Sequence, residues 1–246
     1  MHMRHKKWAR PELAACPYFL DAPKELRNHW RSRFEKEQPL HLELGCGKGV
    51  STAQMVFDNP DTNFVAIDIT CDILGDARRN MAKAFAPSEP DNALIVRYDI
   101  EYIDELFGPE DRVERLYIHF CNPWTERPKY AKRRLTHPRQ LLQYRTFMTP
   151  GAEIWFKTDN DELFEDSLRY FEVSGFGCRF LTRDLHASGF GPNYISEHEQ
   201  KYTQLGVPIK MGVFVMEDRP VTIDPVRWNL RKQRREEAEE GTEDHL

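Results

Sequence analysis

A polar amide, an aromatic ring and a cluster of cations follow one apolar run near the middle of the chain. Residues 116–120 (LYIHF) predict a buried strand, and Pro123 ends it because proline lacks an N–H and restricts the residue before it. Ligands of open α/β sheets bind beyond the carboxyl ends of the strands, so Asn122 and Trp124 should face a crevice. Cations at its mouth then indicate a nucleobase attached to a phosphate chain. The cations are Arg127, Lys129, Lys132, Arg133 and Arg134.

Each half of this pattern also has a structural explanation. Trp124 could cap the hydrophobic core, and the cations could form the solvated face of a helix. Either feature alone favours that explanation. Their adjacency shifts the interpretation toward a binding site.

A second chemical signal is the stretch ELGCGKG at 43–49, which ends a predicted strand and opens a predicted helix. Its GxGxG spacing differs from GxGxxG, so it favours a turn that binds a nucleoside without cradling a pyrophosphate. Asp68 ends the next strand, where a carboxylate can accept hydrogen bonds from ribose hydroxyls. Asp99 follows the third strand and could receive an adenine amino group. The turn alone could equally be structural, whereas the turn with two acids favours a nucleoside cofactor. Its glycines are Gly45, Gly47 and Gly49.

The motifs described above lie at the ends of strands that alternate regularly with helices along the chain. Segments near 50–58, 71–85, 137–148 and 160–173 predict helices between strands, which is typical of a parallel, doubly wound α/β sheet. The last two strands have no clear helix between them and are predicted to pair antiparallel at the sheet edge. A further helix is predicted at 23–36 from the apolar stripe of Leu26, Trp30 and Phe34. The predicted strands are 40–44, 63–68, 93–98, 116–120, 152–158, 178–182 and 211–216.

Composition sets limits on the class of protein. A chain of 246 residues with 40% hydrophobic content can build one domain, here expected at 38–216 between a basic extension (1–37) and a charged tail (217–246). Five scattered cysteines without a CxxC pair indicate a reducing compartment and no zinc or other metal site. Without a signal peptide or a membrane-length apolar run, a cytoplasmic protein is expected. The net charge of −5 confines polyanion binding to local basic patches, at 127–139 and in the first ten residues.

Taken together, these motifs resemble the tRNA (guanine-N7-)-methyltransferases. The resemblance spans about residues 38–216 and rests on ELGCGKG, the two strand-end acids, FCNPW followed by KRRL, FKTDN at 156–160 and SEHEQKYTQLGVPI at 196–209. It implies a Rossmann-like class I fold with a seven-stranded, mostly parallel sheet and an antiparallel hairpin. It also implies S-adenosylmethionine as methyl donor and guanosine 46 in the variable loop of tRNA as target. Monomer and homodimer both remain open.

The resemblance also assigns residues by position. The family's cofactor residues correspond to Glu43, Asp68, Asp99 and Asn122, and its tRNA-contacting basic segment corresponds to 129–134. Its substrate-site Asp corresponds to Asp159. Its Thr-x-x-Glu element corresponds to Ser196, Glu197, His198 and Glu199.

Two departures affect the centre of this pattern. Where many members have Asp before Pro-Trp this chain has Asn122, and where they have Lys it has Glu126. Because the loop to KRR is one residue longer, the basic contact is expected at Arg127 or Lys129. Ser for Thr at 196 keeps the hydroxyl group.

The implied chemistry needs no general base, because guanine N7 carries an unprotonated lone pair at neutral pH. Asp159 and Glu199 are the candidates for reading the guanine N–H edge and for offsetting the charge that alkylation creates. Asp159 could instead cap the helix that follows it. Two other functions remain open. One is a methyltransferase that acts on another substrate. The other is an RNA-binding protein that has lost catalysis, which the departures from the family pattern at Asn122 and Glu126 would support.

Overall fold

A central sheet organises the molecule, for which the computed structural model describes residues 5–221. Within those residues eight strands lie in the order β1-β4-β3-β2-β5-β6-β8-β7. All neighbours are parallel except that β8 runs antiparallel to both β6 and β7. The strands are β1 (Phe19–Asp21), β2 (Leu40–Leu44), β3 (Asn63–Asp68), β4 (Ala93–Arg97), β5 (Val113–His119), β6 (Met148–Thr158), β7 (Phe176–Thr182) and β8 (Lys210–Met216).

Helices cover both faces of this sheet. Helices α1 and α2 each pack on α3, and α4 packs on α5. The α-helices are α1 (Ala9–Ala14), α2 (Val50–Asp58), α3 (Cys71–Phe85), α4 (Pro138–Arg145), α5 (Asp161–Val173), α6 (Leu185–Ser188) and α7 (Glu197–Gln204). Short 3₁₀ helices occupy Lys24–Leu26, Trp30–Arg33, Ile100–Glu105, Pro109–Asp111 and Pro128–Arg133.

The predicted α/β class and the antiparallel edge pair are confirmed, but the sheet has eight strands where seven were expected. The additional strand is β1, which lies in the N-terminal extension and pairs with β4 from Phe19 to Asp21. Only three residues long, it carries no alternation that a sequence pattern could reveal. The extension is therefore part of the sheet. The predicted C-terminal tail lies largely outside the described residues.

The predicted helix at 23–36 is wrong. Two 3₁₀ turns stand there, separated at Asn28, whose φ is +68°. The backbone N–H groups of Asn28 and Trp30 donate to the buried Asp111 carboxylate, at 2.9 and 3.1 Å, where an α-helix would pair them internally. Trp30 stacks on Phe107 at 4.7 Å between ring centroids. The apolar stripe packs on the domain as expected, although tertiary hydrogen bonds replace helical ones.

The segment between β7 and β8 contains helices that the sequence did not indicate. Helix α7 begins after Ser196, whose hydroxyl accepts a hydrogen bond from the Glu199 N–H at 3.1 Å. Helix α7 is short and polar on most of its surface, so it shows little apolar periodicity. In the part of the chain that the structure describes, no helix is both long and apolar enough to cross a membrane.

The basic N-terminal segment is bound to α3. The Lys6 backbone N–H donates to Asp72 at 2.8 Å, and its ammonium group pairs with Asp76. The Arg79 guanidinium lies 3.4 Å from the centre of the Trp8 ring. These contacts explain how a charged extension packs beside the start of α3; Arg4 of the same basic patch lies outside the described residues.

Candidate active site

The glycine turn after β2 forms one wall of the site. Gly45, Gly47 and Gly49 all have positive φ, at +82°, +56° and +66°. At Gly49 a side chain is excluded by space as well, because an added Cβ would lie 2.8 Å from the Cβ of Ala77 in α3. Gly45 and Gly47 border open space instead. The turn therefore both joins α2 to α3 and exposes backbone to a ligand.

Asp68, at the end of β3, is tied to this turn. Its carboxylate accepts hydrogen bonds from the Gly47 N–H at 3.1 Å and the Thr70 N–H at 3.3 Å. Burial raises the pKa of Asp68, an effect that these N–H groups oppose. Asp99, at the end of the neighbouring β4, accepts a hydrogen bond from the Glu101 N–H at 3.0 Å and so caps a 3₁₀ helix. Both acids hold backbone in place and still face the same cavity.

That main cavity has a volume of about 620 Å³ and lies at the carboxyl ends of the parallel strands. Such a volume suits a nucleoside-sized ligand. It collects side chains that are far apart in the sequence, including one buried amide, Gln140, that sequence reasoning missed. The chemically relevant residues along it are Gly45, Gly47, Asp68, Asp99, Asn122, Trp124, Lys132, Arg133 and Gln140.

The Asn122-Pro123-Trp124 turn shapes the opposite wall. The Asn122 side-chain oxygen accepts a hydrogen bond from the Trp124 N–H at 3.1 Å, and Trp124 has φ of +48°. The Trp124 ring is half-buried and lies 5.1 Å from the Arg133 guanidinium. Because Asn122 uses its oxygen for the turn, its NH₂ group remains to face a ligand. Trp124 therefore lines the cavity and does not merely cap the core.

The basic segment after this turn divides into two parts. The first part is exposed, as expected for a basic rim, and contains Arg127, Lys129, Lys132 and Arg133. Glu126, which precedes them, is exposed as well.

Arg134, by contrast, is fully buried, so its expected place on the rim is wrong. It donates to the Pro123 carbonyl oxygen at 2.6 Å, to Asp166 at 2.6 Å and to Glu162 at 3.0 Å. A guanidinium with three such partners cannot also bind a phosphate. Its role is to hold the Asn122-Pro123-Trp124 turn against α5.

Asp159 at the end of β6 meets His198 of α7. The His198 Nε2 lies 2.9 Å from the Asp159 carboxylate, and the His198 ring stacks on Tyr202. Burial is the largest single influence and acts to raise the pKa of Asp159, but the hydrogen bond with His198, a backbone hydrogen bond and the charges of His198 and Lys210 together outweigh it, so the pKa is lowered. Asp159 is not a helix cap, since Asn160 caps α5 by accepting from the Leu163 N–H at 2.7 Å.

The other residues expected to read the substrate lie differently. Glu199 is fully buried, pairs with Lys157 at 2.7 Å and lines neither cavity, so its expected contact with guanine stays a prediction. Glu197 is exposed and forms an ion pair with Lys48 at 2.6 Å. Ser196 caps α7, as described above. Of this element, Ser196, Glu197 and His198 line a side cavity next to the glycine turn.

The side cavity has a volume of about 300 Å³ and shares Gly45, Gly47 and Phe120 with the main cavity. Glu43 lies in its wall with only 3% of its surface exposed. Among residues 5–221 no group of three or more His, Cys, Asp and Glu side chains could hold a metal ion. The polar groups that line the two cavities are carboxylates, the amides of Asn122 and Gln140, exposed cations, histidine rings and backbone.

Comparisons with known proteins show which family the chain is similar to. The model of a family described as "Putative methyltransferase" matches residues 37–211. The tRNA (guanine-N(7)-)-methyltransferase of Clostridium botulinum strain Eklund 17B is 47% identical over 220 residues, which are 89% of this chain and all of that one. The enzyme of the same name from Ruminiclostridium cellulolyticum is 46% identical over 213 residues, covering 85% and 90%. The chain belongs to the tRNA (guanine-N(7)-)-methyltransferase family.

Solved structures support the fold. A structure titled "Structure of an Antibiotic Related Methyltransferase" has a TM-score of 0.56 with 16% identity, covering 80% of this chain and 96% of that one. The antibiotic-resistance methyltransferase Kmr has a TM-score of 0.54 with 15% identity, covering 78% and 92%. The class I methyltransferase fold of this family member is thus confirmed.

Besides Gln140, sequence reasoning missed two buried ionisable residues, namely His119 in the wall of the side cavity and Lys157 near it. Lys157 of β6 is 2% exposed, and its ammonium group donates to Asn193, to the Tyr194 carbonyl oxygen and to Glu199. His119 of β5 lies beneath the side cavity beside Glu43. Each is an ionisable residue in an otherwise apolar strand. Because such residues are rarely buried without a partner, their position in the sequence could have indicated a paired or functional side chain.

Proposed function

We propose that this protein transfers a methyl group from S-adenosylmethionine to N7 of guanosine 46 in the variable loop of tRNA. The observation that carries the proposal is the main cavity, where a glycine turn, two strand-end acids and an aromatic ring meet beside exposed cations. Family membership supports the reaction, because the close relatives are named for N7 methylation of guanine in tRNA.

The main cavity fits the donor's nucleoside. Asp68 and Asp99 stand at the ends of adjacent strands and can accept hydrogen bonds from ribose hydroxyls and from an adenine amino group. Gly45 and Gly47 let the ligand approach the backbone. When bound, the donor supplies an electrophilic methyl group on a sulfonium ion. The residues of the chain supply the position and the electrostatics.

No residue needs to remove a proton, because N7 attacks with a free lone pair. As the N7–methyl bond formed and the methyl–sulfur bond broke, the positive charge would pass from the sulfur to the guanine, and S-adenosylhomocysteine would leave as a neutral thioether. Asp159, kept ionised by His198, can accept from the guanine N–H edge and offset that charge. Asn122 can position the base or the donor through its NH₂ group without taking a proton. Asn in place of the usual Asp is therefore compatible with catalysis.

The exposed cations are suited to bind the phosphate backbone of the RNA. Lys132 and Arg133 line the main cavity, and Arg127 and Lys129 are exposed in the same segment. All four can neutralise phosphates. Trp124 offers a flat apolar surface for a base.

The test is mass analysis of nucleosides after incubating tRNA and the protein with methyl-labelled S-adenosylmethionine. Labelled 7-methylguanosine is expected from tRNA with guanosine at position 46. Matched tRNA with adenosine at that position should stay unlabelled. Label in DNA or in another nucleoside would favour a different methyltransferase, and tRNA binding without any label would favour an RNA-binding protein.

A further inference from the structure

His119 presents a buried polar atom that has no hydrogen-bond partner among residues 5–221, its Nε2. Its side chain is 8% exposed and lies in the wall of the side cavity. An unpaired buried polar atom costs free energy, so proteins retain one where a ligand or a bound group satisfies it. The side cavity is the space from which such a partner can come.

The neighbours of His119 determine what kind of partner fits. Its Nδ1 lies 3.7 Å from one carboxylate oxygen of Glu43, and the Thr52 hydroxyl donates to the other oxygen. A carboxylate beside Nδ1 favours the proton on that nitrogen. Burial and the nearby Lys157 lower the pKa of His119, so the ring is neutral at pH 7. Nε2 is then a hydrogen-bond acceptor, and the ligand must bring a donor.

The charge of the side cavity points to a cationic donor. Glu43 is almost completely buried in the wall, next to the His119 ring. Among the described residues that line the side cavity, Lys48 is the one lysine or arginine, and it is engaged with Glu197 at 2.6 Å. The charge of Lys157 also acts on Glu43, but its ammonium group is paired with Glu199 at 2.7 Å, so the buried Glu43 carboxylate still favours binding of a positive group.

The side cavity continues the main cavity past the glycine turn. The two cavities share Gly45 and Gly47, and Phe120 lies between them. A ligand whose nucleoside occupies the main cavity can therefore extend its other end toward His119 and Glu43.

We propose that His119 binds the α-ammonium group of the methyl donor, accepting a hydrogen bond at Nε2 while Glu43 supplies the counter-charge. This inference rests on the proposed function and assigns the side cavity to the amino-acid end of the donor. It makes His119 a residue that selects for that end, a role that the sequence motifs did not assign to it.

The test compares two ligands by calorimetry. S-adenosylhomocysteine retains the α-ammonium group, whereas 5′-methylthioadenosine has the same nucleoside and thioether without the amino-acid end. His119→Leu should weaken S-adenosylhomocysteine binding about tenfold or more, as expected for a hydrogen bond to a charged group. It should leave the affinity for 5′-methylthioadenosine within about twofold.

Two further variants make the result specific. His41 lies on the same face of β2 as Glu43, contacts Tyr117 and does not line the side cavity, so His41→Leu should leave both affinities unchanged. His119→Gln keeps a side-chain acceptor and should recover part of the S-adenosylhomocysteine affinity.

An equal loss of affinity for both ligands would overturn the inference, because a purely structural role of His119 would weaken binding of the nucleoside as well. Unchanged affinities with a raised KM for tRNA would overturn it in favour of the target base as occupant. A wild-type protein that binds neither ligand would overturn the proposed function itself, and the inference with it.

Discussion

Lys157 and Glu199 form an ion pair of 2.7 Å in which neither side chain reaches solvent, with exposures of 2% and 0%. The Lys157 ammonium group also donates to Asn193 at 2.9 Å, and Asn193 donates back to Glu199 at 2.7 Å. This network joins the end of β6 to the loop before α7 and to the first turn of α7. Asp159 follows two residues after Lys157, so the pair sets the distance between Asp159 and His198.

Removing one member of this pair should destabilise the fold. Lys157→Met leaves a buried carboxylate without its counter-charge, and the free energy of unfolding should fall by about 3–5 kcal/mol. Lys157→Met combined with Glu199→Leu should cost less than the sum of the two single changes. Urea denaturation of the four proteins measures this coupling. Additive losses would show that the two charges do not depend on each other.

Arg133 and Arg134 are adjacent in the chain and should behave in opposite ways. Arg133 is exposed, so Arg133→Glu should weaken tRNA binding, lower the slope of log K against log salt by about 1, and change stability by less than about 0.5 kcal/mol. Arg134→Met should remove the three hydrogen bonds by which the buried guanidinium holds Pro123, Asp166 and Glu162, and cost about 3–5 kcal/mol of folding free energy. Filter binding at several salt concentrations and denaturation curves separate the two effects. A stable Arg134→Met that loses only tRNA affinity would return Arg134 to the RNA-binding rim.

His137 should make stability depend on pH. Burial first, and then Arg134 and Arg139, lower its pKa to about 4. Because its unfolded pKa is about 6.5, the unfolded state binds more protons between these values. The contribution of neutral His137 to the free energy of unfolding is therefore complete above pH 6.5 and is lost as the pH falls toward 4. Between pH 8 and pH 5 the free energy of unfolding should fall by roughly 2 kcal/mol for this reason.

The variant that tests this is His137→Asn. The His137 Nδ1 accepts from the Arg139 N–H at 3.2 Å as cap of α4, and Asn can accept the same bond without titrating. The difference in unfolding free energy between wild type and variant, measured from pH 8 to pH 5, should change by that amount. A pH-independent difference would mean that His137 is not held neutral.

Asn122 should tolerate the acidic residue that is common in the family. Asp can accept the same hydrogen bond from the Trp124 N–H, so Asn122→Asp should keep kcat within about tenfold. Asn122→Ala loses both the turn and the NH₂ group, and kcat should fall by about 10²-fold. Methyl transfer to tRNA at saturating substrates measures both. If wild type is inactive and Asn122→Asp is active, the Asn has disabled the site and the binding-protein function is favoured.

The sequence by itself determined the strand ends and the turns. The GxGxG turn, Asp68 and Asp99 follow apolar runs directly, and local patterns are sufficient there because a parallel sheet brings its carboxyl ends to one edge. The bounds of α2 and α3 likewise agree with the segments 50–58 and 71–85, since their helical periodicity and the glycine before α2 are local signals.

Only the tertiary structure decided which charges face the ligand. Arg133 and Arg134 carry the same charge in one 3₁₀ turn and its cap, yet one is exposed and the other is held by Asp166 and Glu162 of α5. Glu199 is likewise buried by Lys157, which lies 42 residues away in the chain. Burial of an ionisable side chain depends on partners from distant segments, and no local pattern specifies where those partners meet.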